Sequence, residues 1–168
     1  MTRSVSSPSR STVLAALALS AGLGLFFSPA SGQEDENKPV LEYRQKIMVG
    51  QRASMASMAD ILKFKMPYDA SHFVAHAKNI GELATLIPDA FEKKITEGLT
   101  DAKPEVWASW DDFVAKSRAL GEASAKLRAA AESGDMKAVM PEVTAVNNAC
   151  RACHDSYRKP EEQRFKRQ

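Results

Sequence analysis

Cysteine is almost missing from this chain. There are two in 168 residues, and they stand three apart, at Cys150 and Cys153. That excludes a disulfide-stapled scaffold, and one local pair would constrain almost nothing in a domain of this size. Long apolar runs are also scarce. The one present, Val13 to Phe27, is interrupted by Ser20, Gly22 and Gly24, and nothing after it is expected to cross a membrane. Excess charge is small. The formal net charge is +2, and Arg3 and Arg10 account for it, because no acid precedes Glu34. The rest of the chain is near neutral, which argues against a nucleic-acid partner. No alternating apolar pattern and no internal repeat are found, which excludes a sheet or a solenoid as the framework.

What is present begins with order at the N-terminus. A polar segment with Arg3 and Arg10 leads into the apolar run, and Ser-Pro-Ala-Ser-Gly follows it. That sequence of segments reads as a secretory signal peptide over residues 1–32, with an uncleaved anchor as the alternative. Export to the periplasm follows. Residues 33–38, acidic and polar, read as a disordered linker, and residues 39–168 as one domain large enough for a core.

Four helices are expected in that domain. Asn37 could cap the first, with Pro39 in its first turn. Leu41, Met48, Met55, Ile61 and Leu62 then carry helical spacing to about Lys65. The second begins near Asp69 or Ser71, with Phe73, Ala77, Ile80, Ala84 and Ile87 as its stripe and Pro88 as its break. Residues 89–103 read as an exposed loop with at most a short helical turn. The third starts at Pro104 and carries Val106, Trp110, Phe113, Ser117, Leu120, Ser124 and Leu127. Gly134 ends it and Asp135 caps the fourth, which runs to about Arg158. Pro141 predicts a kink there or a later start. Short connections favour antiparallel neighbours, so the expected fold is all-α, an up-down four-helix bundle.

The chemistry lies in Cys150-Arg151-Ala152-Cys153-His154. On a helix, positions 150, 153, 154 and 157 share a face. Two thiols at this spacing can add to the vinyl groups on one edge of a haem, and the next residue, His154, can reach the iron. The pattern reads as covalent attachment of one haem c. A thioredoxin-like dithiol would need a preceding strand, and a zinc site would need further ligands. His72 and His76, four apart, could chelate a metal but are more simply a solvated helix face.

With this motif near the end of a four-helix chain, the sequence resembles the class II cytochromes c, the cytochrome c′ family. Tyr43-Arg44-Gln45, Pro67-Tyr68-Asp69-Ala70, Pro104-Glu105-Val106-Trp107 and the ending from Cys150 to Arg158 carry the resemblance. It implies an antiparallel bundle with the haem beside the last helix. High-spin members leave the distal side of the iron open. Low-spin members supply a Met four residues after the arginine of the Arg-Gln pair, which here is Met48. The resemblance therefore implies His154/Met48 ligation, with Met55, Met58 and an open distal side as alternatives. A thioether ligand would raise the reduction potential. Arg44 is a candidate for a haem propionate or an ordinary surface residue. Arg158 is a basic group near the axial histidine or a cation at a helix end. Tyr157 packs on the ring or in the core.

The leading expectation is a one-electron carrier with iron held by His154 and Met48, serving redox partner proteins. The alternative is a high-spin protein that binds nitric oxide or carbon monoxide at an open distal site. No catalytic turnover is expected, since no distal acid–base pair is recognisable. The mature form is expected to lie off the membrane. Family members often dimerise through their first two helices, but nothing in this sequence decides oligomeric state.

Overall fold

A computed structural model describes residues 30–67 and 69–165, with side chains from Glu36 onward. The expected signal segment falls almost wholly outside these residues. The described chain is helical, with no strand, and its β-structure is one isolated antiparallel bridge between Ala102 and Arg158. Four long helices make the bundle: α1 (Ala30–Leu62), α2 (Ala70–Thr85), α5 (Trp110–Glu132) and α6 (Met136–Tyr157). Two short ones, α3 (Ile87–Phe91) and α4 (Glu105–Ala108), lie in the connection between α2 and α5.

The first helix starts earlier than expected. Residues 33–38 are helical, not a disordered linker, and Pro39 lies inside α1. Gln33, Glu34, Glu36 and Lys38 are good helix formers, so this stretch propagates the helix despite the hydrogen bond lost at Pro39. Asn37, read as a cap, has its Oδ1 buried without a partner. At the other end the chain closes by back-bonding: the Phe64 N–H donates to the Ile61 carbonyl and the Lys65 N–H to the Asp60 carbonyl. Phe64 has φ +57°, the left-handed cap conformation that glycine usually takes.

The second helix follows its stripe. The Asp69 carboxylate accepts from the Ser71 N–H at 2.8 Å, and Phe73, Ala77, Ile80 and Ala84 are all buried. Pro88 does not end a helix but opens one, at the start of α3 where its missing N–H is not needed. The third expected helix is divided. Ser109, at φ −128° and ψ 50°, separates α4 from α5. Beyond it Phe113, Ser117, Leu120, Ser124 and Leu127 are buried as predicted. The Ser117 hydroxyl donates to the Ala84 carbonyl at 2.6 Å, so this small polar residue satisfies itself at the α2–α5 contact. Gly134, at φ +72°, ends α5, and the Asp135 carboxylate caps α6 through the Lys137 N–H at 2.9 Å. α6 is continuous through Pro141 rather than starting there.

The connection before α4 is less exposed than expected. Ile95, Thr100 and Ala102 are buried, and residues 101–103 are pinned to the end of α6. The Lys103 N–H donates to the Tyr157 carbonyl at 2.9 Å, and the Lys159 N–H to the Asp101 carbonyl at 2.8 Å. Packing runs in sequence order, α1 on α2, α2 on α5 and α5 on α6. Among the described residues α1 and α6 share no packing of comparable extent. The bundle therefore has three packed seams and one looser one, between the helix carrying Met48 and the helix carrying the cysteines.

Candidate haem attachment site

α6 supplies one side of this fourth seam. Val139 and Val146 anchor it in the core, and Ala149, Cys150 and Cys153 are half-buried against that core. The two are not joined to each other in a disulfide. Burial raises the pKa of Cys150, and pushes that of Cys153 up to about 11. Both are therefore neutral thiols at physiological pH. His154 lies beside them, one residue on, with an exposed side chain. Desolvation by the chain around it, then the charges of Arg158 and Arg164, lower its pKa. The direction of that shift favours the neutral imidazole, the form that binds a metal. No strand precedes the pair, and among the described residues no three His, Cys, Asp or Glu side chains could hold a metal ion. Both facts remove support from the dithiol and zinc alternatives.

Tyr157 and Arg158 are turned toward the protein. The Tyr157 ring stands edge-on to Phe113 with centroids 5.3 Å apart, and its hydroxyl donates to the Asp112 carboxylate at 2.5 Å. Burial, then that bond, pushes the phenol up to about 12 from the ordinary 10. The fold therefore favours the protonated phenol. Its stabilisation is complete below pH 10 and is lost as the pH rises toward 12. A Tyr157→Phe variant should accordingly lose less stability than the parent across that interval in alkaline denaturation. Equal losses would show that the phenol does not contribute. Arg158 donates to the Asp101 carboxylate at 3.2 Å, while its charge is felt at His154.

α1 supplies the other side. Arg44 is only 3% exposed. Its Nε donates to the Ala90 carbonyl at 2.7 Å and its Nη2 to the Lys93 carbonyl. The guanidinium lies over the rings of Phe91 and Trp107, at 4.6 and 5.5 Å from their centroids. Met48, four residues on, is half-buried against the core, as is Met55. Met58 is sealed inside the core with no exposure. Gln51, between Met48 and Met55, is 7% exposed.

Two donors on this face of α1 are buried without a partner: Arg44 Nη1 and Gln51 Nε2. Such orphans are rare in a finished core. They stand one turn before and one turn after Met48. Two thiols and an imidazole on α6, with unpaired N–H groups on the face of α1, suit an iron porphyrin: sulfur for its vinyl edge, nitrogen for its iron, donors for its acceptor groups. The sequence reading did not single out Gln51, Asp101 or Asp112. For Gln51 a signal existed, an amide on an otherwise apolar stripe. Asp101 and Asp112 gave none.

His72 and His76 remain apart from this site on α2. His76 is half-buried, with Nδ1 unpartnered and its pKa lowered by burial, then by His72.

Comparison with known proteins gives the same picture. The family profile described as Cytochrome C′ matches residues 39–158. Cytochrome c′ of Alcaligenes xylosoxydans xylosoxydans is 34% identical over 119 residues, 71% of this chain and 92% of that protein. The structure of cytochrome c prime from Shewanella frigidimarina superposes with a TM-score of 0.68 at 29% identity, covering 73% of this chain and 96% of its own. A nitric oxide complex of a variant of cytochrome c prime from Alcaligenes xylosoxidans does so with a TM-score of 0.66 at 33% identity, covering 74% and 96%. A single helical domain that ends in Cys-x-x-Cys-His and matches along nearly all its described length leaves one assignment: this chain belongs to the cytochrome c′ family, whose members carry covalently attached haem c with its iron.

Proposed function

We propose that this protein binds a diatomic gas, nitric oxide or carbon monoxide, at the distal side of a haem iron. Cys150 and Cys153 carry the haem through two thioether bonds, and His154 supplies the proximal imidazole. A haem held there would supply an iron able to take a small ligand. The chain does the rest. α6 favours the neutral imidazole, Met48 on α1 would stand over the open side, and Arg44 would offer Nη1 to a haem carboxylate. The observation that carries this reading is the nitric oxide complex of a 33%-identical relative with the same fold. The protein is proposed to lack turnover of its own. Its export to the periplasm is proposed from the N-terminal pattern.

Rapid mixing of the reduced protein with carbon monoxide tests the proposal. Fast binding in one concentration-dependent phase is expected. Slow uptake at a rate independent of gas concentration would mean that an internal ligand must first leave, and would overturn it.

The second reading is a one-electron carrier ligated by His154 and Met48. Its support is the place of Met48, half-buried on α1 four residues after Arg44. On that reading Met48→Ala converts a low-spin ferric spectrum to high-spin. On the gas-binding reading the spectrum is high-spin before and after the substitution.

A further inference from the structure

We infer that Gln51 is a positioning residue on the distal side, its amide Nε2–H donating a hydrogen bond to a diatomic molecule held on the iron. This rests on the gas-binding reading. The side chain is 7% exposed and Nε2 is buried without a partner. A buried amide donor without a partner calls for an acceptor beyond the side chains and carbonyls around it.

The stripe on α1 indicates which acceptor. Arg44, Met48, Gln51, Met55 and Met58 follow one another at steps of three and four, and the looser seam lies between this helix and α6. Gln51 is one turn beyond Met48, on the side away from Arg44. The other orphan donor, Arg44 Nη1, is cationic and fixed by Phe91, Trp107 and two carbonyls. It suits a carboxylate. Gln51 is neutral, and a neutral donor matches an uncharged ligand such as carbon monoxide or nitric oxide without burying a charge. Its rival acceptor is the Met48 sulfur, a weak one.

The test uses the haem-loaded protein, reduced and under carbon monoxide, and reads the infrared C–O stretch. A donor at the terminal oxygen strengthens back-donation from iron and lowers that frequency. Gln51→Leu and the shape-conserving Gln51→Met should both raise it. Both should also speed carbon monoxide release about fivefold, the factor for one neutral hydrogen bond. An unchanged stretch in both variants overturns the inference. The same comparison in a Met48→Ala background separates the acceptors. A shift that persists there supports the gas as acceptor, and one that vanishes assigns the bond to the Met48 sulfur and overturns it. If the parent takes up no carbon monoxide while Met48→Ala does, the gas-binding reading itself fails. The Gln51 shift measured in that background still decides whether the amide faces a distal ligand.

Discussion

The Cys150→Ala/Cys153→Ala double variant is expected to carry no covalently bound porphyrin. Intact-mass measurement should find the polypeptide alone, and the visible absorption of the haem should be lost after denaturing extraction. The reason is chemical. Thioether formation consumes one thiol per vinyl group, these are the two cysteines of the chain, and both stand on one face of α6. A single substitution should leave one thioether and a partly retained chromophore. The double variant should also be markedly less stable. α6 is packed chiefly on α5, and a group bridging it to α1 would close the fourth seam. Full haem mass in the double variant would refute the attachment.

Legibility in the sequence divides along a physical line. The attachment motif was readable because it is local: helix geometry alone places residues 150, 153 and 154 together. The buried stripes were readable for a similar reason, since Phe73 through Ala84 and Phe113 through Leu127 need only a 3.6-residue period to share a face. Caps at Asp69 and Asp135 are local as well. The start of α1 was missed because the acidic stretch 33–38 was judged by polarity rather than by helix propensity. The break at Ser109 was missed because the pattern continues from Val106 across it to Phe113. The distal half of the site was legible only in part. Met48 lies four residues after Arg44 on α1, but no period reveals which carbonyls a side chain will find 46 or 49 residues away. Arg158 shows the same limit, since its partner Asp101 lies 57 residues back.

Arg44→Ala should be among the most destabilising single substitutions in the molecule, although the base expectation for an arginine is a solvated surface. The guanidinium is nearly buried, and burial alone lowers its pKa to about 10, so it stays charged at neutral pH. Its desolvation is offset by two backbone carbonyls that end α3 and by two aromatic faces. Truncation would strand the Ala90 and Lys93 carbonyls and open a void beside Phe91 and Trp107. A charge-assisted hydrogen bond contributes about 1.5–3 kcal/mol and a cation–π contact about 1 kcal/mol. With desolvation relieved on the other side, a net loss of about 2–4 kcal/mol is expected. Urea unfolding should show it as a lower midpoint at unchanged slope. Arg44→Lys keeps the charge but cannot fork between two carbonyls, so it should recover only part of the loss. Within 0.5 kcal/mol of the parent in either variant, about the scatter of neutral surface changes, the anchoring role would be wrong. Arg44 would then have to be explained by the haem carboxylate alone. The two roles separate in the spectrum: an anchor lost from α3 changes stability first, whereas a lost carboxylate partner shifts the reduction potential at unchanged stability.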